Sequence, residues 1–237
     1  MKVWISRSRP GADRHEQVLQ AAGFETLVLP VLAIDSLSNP APGRDFNLVI
    51  FLSEHAVNCS SAQRARTDFC AGAQVLAVGT ATAAALTAAG VSVSVSGDRR
   101  GARLQGSERL LASTALQEVK GQSILIVCGE GGRMLLADTL RRRGADVQLL
   151  RCYRRRPAGI RLESTTDIDA ILVGSGDGFA YVARVWFEAG GDPEVAVLAP
   201  SARVAGLGAG LGFRQVIDCA GAGAEDYRDA LNALKAS

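Results

Sequence analysis

A chain of 237 residues that is 48% hydrophobic and 5% aromatic can bury a sizeable core, and its length suits one large or two small domains. No apolar run approaches the roughly 20 residues of a membrane span, and the first residues lack the charged-then-apolar form of a signal peptide, so a soluble cytoplasmic protein with no membrane partner is expected. A net charge of +2 says little, and the repeated aromatic interleaving of a single-stranded nucleic-acid groove is lacking, so no nucleic-acid partner is expected.

The first predicted unit is a strand at Val3 to Ser6, a loop through Arg9, Pro10 and Gly11, a helix closed by Gly23, and a strand at Thr26 to Leu29. Asp35 to Asp45 has the Pro, Ser, Asn and Gly content of a linker. A strand at Leu48 to Leu52 then ends at Ser53, a natural N-cap for a helix over 54–65. Next come a strand at Val75 to Val78, a turn at Gly79, an alanine-rich helix capped by Thr80 or Thr82, and a strand at Val91 to Val95. Ser96 to Gly106, aperiodic and holding Arg99, Arg100 and Arg103, is expected to be a mobile loop. Ser107 caps a helix running to about Val119.

Ile124 to Val127 begins the clearest unit: a buried strand, the loop Gly129 to Gly132, a helix through Leu136 and Leu140 stopped by Gly144, and a strand at Val147 to Leu150. That loop should bring bare backbone N–H groups to a helix N-terminus, where carboxylates and phosphates bind. A second linker, Arg155 to Thr166, leads to a strand at Ala170 to Val173 and the loop Gly174 to Gly178. The following helix carries Phe179, Val182, Ala183 and Trp186 on one face. A strand at Val195 to Leu198 precedes a weakened helix, since Gly206, Gly208 and Gly210 each cost about 1 kcal/mol there. The last elements are a strand at Gln215 to Asp218 and a helix with Tyr227, Leu231 and Leu234 on its apolar face.

The segments repeat. The unit at 3–29 matches that at 124–150, Leu48 to Val57 matches Ala170 to Phe179, and Val75 to Leu86 matches Val195 to Gly206. An internal duplication follows, giving two similar α/β lobes, each a doubly wound parallel sheet of the flavodoxin or Rossmann kind. The strand carboxyl ends, and a cleft between lobes, are then the default binding site.

Known motifs are missing. GEGGRM lacks the Gly-Lys-Ser/Thr ending of a phosphate loop, and GAGLGF at Gly208 to Phe213 lacks dinucleotide-fingerprint spacing. There is no G-x-S-x-G elbow, and His15 and His55 alone make a triad or a histidine metal site improbable. Cys59, Cys70, Cys128, Cys152 and Cys219 form no CxxC pair and read as reduced structural thiols. Lysine is confined to Lys2, Lys120 and Lys235, so arginine supplies the basic side chains, either as carboxylate and phosphate binders or as codon bias. What remains is polar residues at strand ends: Arg7, Arg9, Ser53, Thr80, Thr82, Gly129, Arg133, Tyr153, Ser175, Gly176 and Ser201. The hydroxyl residues are equally ordinary helix caps, and Tyr153 equally a strand-end aromatic with a wet hydroxyl.

Five stretches in register, Ser6 to Gly11, Phe51 to Val57, Ala77 to Thr82, Gly129 to Arg133 and Arg142 to Arg154, resemble the uroporphyrinogen-III synthase family. The resemblance implies a discontinuous domain of residues 1–34 and 160–237 and a second of 37–153, joined by a two-stranded connection at 35–36 and 154–159. It implies a lyase of tetrapyrrole and haem biosynthesis that cyclises hydroxymethylbilane, a linear tetrapyrrole with eight carboxylates, inverting ring D through a spiro intermediate. Neither cofactor nor metal is implied, and a monomer is expected. Tyr153 takes the place of the family's tyrosine, as donor to the departing hydroxyl, with the other strand-end residues binding substrate. Leu52-Ser53 stands where the family has Thr-Ser, and Ala199-Pro200-Ser201-Ala202 where it has Gly-x-Thr-Thr. The alternative is a diverged two-lobed binding or regulatory protein that keeps the scaffold without catalysis.

Overall fold

The structure, a computed structural model, describes residues 1–39, 43–61, 70–94, 106–132 and 134–236. Arg133 and, apart from Gly106, the residues from Ser96 onward expected to form a mobile loop lie outside the described residues. In chain order the elements begin β1 (Lys2–Ile5), α1 (Gly11–Ala21), β2 (Glu25–Val28), β3 (Leu32–Ser36), β4 (Leu48–Phe51), α2 (Glu54–Ser61), β5 (Gln74–Ala77), α3 (Thr80–Ala88) and α4 (Ser107–Ala112). They continue β6 (Ser123–Gly129), α5 (Leu135–Arg142), β7 (Asp146–Pro157), β8 (Ala170–Leu172), α6 (Gly176–Glu188), β9 (Ala196–Ala199), α7 (Ala202–Ala205), β10 (Gln215–Asp218) and α8 (Ala224–Ala236). Among the described residues no helix is long and apolar enough to cross a membrane.

Two units result, one of Met1–Ala33 with Arg156–Ser237 and one of Ile34–Arg155. The first holds a sheet in the order β2-β1-β8-β9-β10 with parallel pairings throughout. Counted within the unit this is 2-1-3-4-5, the doubly wound order of flavodoxin, whose direction of winding switches between β1 and β8. The second sheet has the order β3-β7-β6-β4-β5, in which β7-β6-β4-β5 are again parallel, with an isolated bridge from Leu76 to Ser94 beyond β5. Laid side by side, β2-β1-β8-β9 and β7-β6-β4-β5 match strand for strand. The duplicated halves therefore share one strand order, and differ in where along it the chain enters.

Local bonds repeat as well. Gly23 and Gly144 have φ of 82° and 86°, a left-handed conformation that a side chain resists, and they end α1 and α5. The next N–H groups reach back alike, Phe24 to the Leu19 carbonyl at 3.0 Å and Ala145 to that of Leu140 at 3.1 Å.

Both faces of each sheet are covered, so successive strand residues are buried alike although they point oppositely. In the first unit Val3 and Ile5 pack with Leu19, Tyr227 and Leu231, while Trp4 packs with Phe179, Val182 and Trp186. In the second, Phe51 and Val127 pack with Val57 and Leu86, while Ile50 and Ile126 pack with Leu110, Leu136 and Leu140. Burying such a side chain contributes about 1.5–3 kcal/mol.

Several boundaries differ from expectation. The strand expected at Val147 to Leu150 runs for 12 residues, and positions 35–36 and 154–157, read as linkers, belong to β3 and β7. These two strands are neighbours: the Leu37 N–H bonds the Cys152 carbonyl and the Ala158 N–H that of Val31, an antiparallel register. Linker composition misled here because β3 is short and edge-placed, where polar residues are at home. The helix expected to reach Val119 stops at Ala112, where Ser113 turns extended and its hydroxyl donates to the Leu110 carbonyl at 2.6 Å, competing with the helical ladder. A 3-10 turn at Thr114–Leu116 follows. After Ser201 only the four-residue α7 and a 3-10 turn at Ala209–Leu211 form; Gly208 between them passes so close to Val216 that an added Cβ would lie 2.3 Å from its side chain.

Candidate functional site

Parallel pairing puts the carboxyl ends of a unit's strands on one edge, and the residues just beyond them are its candidate ligands. In the second unit these ends converge on Tyr153. Register along β6 and β7 is regular from Ser123 opposite Asp146 to Cys128 opposite Arg151, and then Gly129 faces Tyr153, leaving Cys152 as an extra residue. This bulge makes both Cys152 and Tyr153 point into the core, against the alternation of a plain strand. Cys152 is held by contacts of its sulfur with the carbonyls of Ala56 and Cys128.

The Tyr153 ring is buried, 3% exposed, and lies directly on Gly129. A Cβ at that glycine would sit 2.5 Å from Cζ of the ring, so the close approach requires glycine. Gly129→Ala should therefore displace the ring and cost about 1–3 kcal/mol, read as a lower urea midpoint by circular dichroism.

Tyr153 Oη lies 3.0 Å from Ser53 Oγ, and that same oxygen accepts the Ala56 N–H at 3.0 Å. Ser53 thus caps α2, a contribution of about 1 kcal/mol, and anchors the phenol. Burial pushes the phenol's pKa up, partly opposed by the Ser53 hydrogen bond and then by Arg155, whose Cζ is 5.9 Å from the ring centre. Tyr153 accordingly keeps its proton through the neutral range and acts as a donor. His55, in the first turn of α2, puts its ring 5.6 Å from that of Tyr153. Reading the residues alone assigned His55 no part in the site, although its place two residues after a strand-end serine was a usable signal.

Other expected ligands are placed differently. The cap of α3 is Gly79 without a side-chain bond, so neither Thr80 nor Thr82 caps it; Thr80 is exposed and Thr82 buried. In the loop after β6 the Glu130 N–H is not bare, since it donates to the Tyr153 carbonyl at 2.8 Å.

In the first unit Ser175 Oγ accepts the Gly178 N–H at 3.1 Å and caps α6, the counterpart of the Ser53 cap. Gly176 backs onto Leu207, whose Cδ1 would lie 3.0 Å from an added Cβ. Ser201 precedes α7 without a side-chain cap, next to an exposed Ala202. Arg9 is exposed and ion-paired with Asp13. Arg7 turns inward: its side chain passes between Gly174 and Gly11, and Nη1 donates to His15 Nε2 at 2.9 Å and to the Ala222 carbonyl at 3.1 Å. Since a guanidinium only donates, His15 Nε2 must accept, which leaves Nδ1 protonated and donating to the Gly11 carbonyl at 2.8 Å. Burial, followed by the Arg7 charge, lowers the His15 pKa to about 4. Burial likewise pushes the thiol of Cys70 up to about 11 and those of Cys152 and Cys219 up to about 12, which disfavours their reactive thiolates.

The family model described as uroporphyrinogen-III synthase HemD matches residues 13–217. The chain belongs to the uroporphyrinogen-III synthase family. Uroporphyrinogen-III synthase of Salmonella typhimurium (strain LT2) is 33% identical over 165 residues, and that of Escherichia coli (strain K12) 30% identical over 171 residues. Each match covers 65% of this chain and 65% of the relative. Two solved structures share the fold of this uroporphyrinogen-III synthase family member. A mutant uroporphyrinogen III synthase from the extremely thermophilic bacterium Thermus thermophilus superposes over all of both chains with TM-score 0.62 at 20% identity. Uroporphyrinogen-III synthetase from Helicobacter pylori 26695 covers 98% of each chain with TM-score 0.64 at 13% identity.

Proposed function

We propose that the protein is a uroporphyrinogen-III synthase, a lyase that removes water from hydroxymethylbilane and closes the macrocycle with ring D inverted. The observation that carries this reading is the buried Tyr153 hydroxyl, fixed 3.0 Å from Ser53 Oγ at a strand end of a family member. In the duplicated arrangement the place of Cys152 and Tyr153 falls to Val31 and Leu32, which meet the first turn of α6 with apolar side chains. Of two equivalent serine caps, one has acquired a phenol and the other has not. An ordinary strand-end aromatic would not account for that difference.

The chemistry needs little from the protein beyond geometry and one proton. As the terminal hydroxyl departs with a proton it becomes water, and the remaining cation spreads onto the pyrrole nitrogen. The substituted carbon of ring D must then attack, giving the spiro intermediate, ahead of the unsubstituted position that the solution reaction uses. Holding a flexible chain in that conformation is catalysis by positioning, for which effective molarities are large. Tyr153 would hold the leaving oxygen by a hydrogen bond. In the second unit the main-chain N–H groups at the starts of α2 and α3 are suited to carboxylates, and in the first unit those at the start of α6 are. Thr80, Ser175, Gly176 and Ser201 would act through such positions, with Arg9 as an exposed cation and Arg133 a candidate outside the described residues. Arg7 and Thr82 would act by supporting the loops rather than by touching substrate.

Incubation with hydroxymethylbilane, oxidation of the products and separation of type I from type III porphyrin isomers tests this directly. Type III product formed faster than the spontaneous reaction is expected. Type I alone, at the spontaneous rate, overturns the reading and favours a binding protein on the same scaffold.

A further inference from the structure

The first turns of α2 and α6 are counterparts: Ser53 and Ser175 cap them, with bonds of 3.0 and 3.1 Å to the N–H three residues on. Two residues after each serine the chain carries His55 in one unit and Asp177 in the other. An acidic residue suits this position, because the unsatisfied N–H groups at a helix start favour negative charge. Histidine does not, since the same field disfavours its cationic form. Where a residue contradicts the local preference of its element, a functional cause is the natural explanation. His55 is partly exposed and its ring lies 5.6 Å from that of Tyr153, with the planes at 58°, so the two side chains border the same strand end.

Charged and titratable groups reach His55 from α2 and from the elements packed on it. Among the described residues of the elements packed on α2, α3 and β4 carry no charged side chain and β6 offers only Cys128. Strand β7 brings Cys152, Tyr153 and Arg155 to this edge, and α2 itself carries Glu54 and Cys59. A polycarboxylate arriving at this edge favours the cationic form of an imidazole beside it.

We infer that His55 is the acid of the cyclisation, a step that rests on the proposed synthase activity. With substrate bound, the imidazolium gives its proton to the terminal hydroxyl oxygen that Tyr153 holds, the carbon–oxygen bond breaks, and water leaves. The cation remains on the tetrapyrrole and the imidazole is neutral. Ring closure and rearrangement end with loss of one proton from carbon, which His55 takes back, so the overall change is release of one water. Tyr153, with its pKa raised by burial, orients the oxygen; an imidazole, a group that ordinarily titrates near 6.5, is a better proton source near neutrality than such a phenol.

The test is the pH dependence of type III formation by the full chain and by His55→Asn, with Tyr153→Phe for comparison. Wild type should lose kcat as pH rises through the histidine range, and Tyr153→Phe should be slower with the same limb. His55→Asn should be at least about tenfold slower at the acid end and nearly independent of pH. An unchanged thermal midpoint for His55→Asn separates this from misfolding, and NMR titration of the wild-type imidazole should show its pKa rising when uroporphyrin III is added. Wild type that makes type III isomer while His55→Asn keeps the wild-type pH limb overturns the role of His55 alone. Wild type that makes only type I overturns the synthase reading, and this role with it.

Discussion

Tyr153→Phe is expected to slow formation of the type III isomer by more than tenfold while leaving the fold intact. The substitution removes one oxygen and keeps the ring, so packing on Gly129 survives, and Ser53 Oγ still caps α2 through the Ala56 N–H. Loss of the single Tyr153–Ser53 hydrogen bond should cost stability no more than about 1 kcal/mol. Tenfold in rate corresponds to about 1.4 kcal/mol in the transition state, the size of a hydrogen bond made only as the hydroxyl leaves. Initial rates resolved by isomer, together with a urea midpoint, measure both quantities. Unchanged type III kinetics would confine Tyr153 to a structural part.

The second large effect is acid lability centred on His15. Its pKa of about 4 in the folded chain lies below the 6.5 of an unfolded histidine, so at a given acid pH the unfolded chain binds more protons and stability falls with pH. The loss begins near pH 6.5, where the unfolded histidine titrates, and is complete near pH 4, where the folded one does. Across that window it amounts to about 3 kcal/mol, with the first part above pH 5 clear of the carboxylates. Physically, a proton on Nε2 removes the acceptor for Arg7 and sets two cations against each other in a buried place beside Tyr227. His15→Gln keeps an acceptor and a donor but cannot titrate, and should flatten the response between about pH 6.5 and 5. The readout is specific: both tryptophans, Trp4 and Trp186, lie in the core of the same unit as His15, so their fluorescence follows that unit. A wild-type urea midpoint that does not move over this range would refute the buried neutral histidine.

Much of the architecture was legible because it is locally encoded. Aliphatic runs such as Ile124 to Val127, glycine stops at Gly23 and Gly144, and the recurrence of the same pattern in both halves pointed to two duplicated parallel sheets. Serine caps at Ser53 and Ser175 were equally plain. The threonines were not: a hydroxyl near a helix start is a statistical cap, and at α3 the extended Gly79 takes that position, leaving Thr80 exposed and Thr82 buried. Arg7 was read as a ligand because exposed arginine is the usual case, and nothing near it in sequence announces that His15, one helical turn along α1, accepts its hydrogen bond.

What the residues determined unaided was class and kinship: alternating strands and helices, the repeat, and the motifs around Ser53, Gly129 and Tyr153 depend on periodicity and spacing within short windows. The bulge at Cys152, the contact of Tyr153 with Ser53 and His55, and the turning inward of Arg7 were decided by tertiary structure alone. The bulge and the Tyr153 contact join residues brought together by lateral pairing of strands, 100 positions apart for Tyr153 and Ser53, whereas Arg7 bonds both His15 in α1 and the distant Ala222 carbonyl. A one-residue change of register would send those side chains to the opposite face.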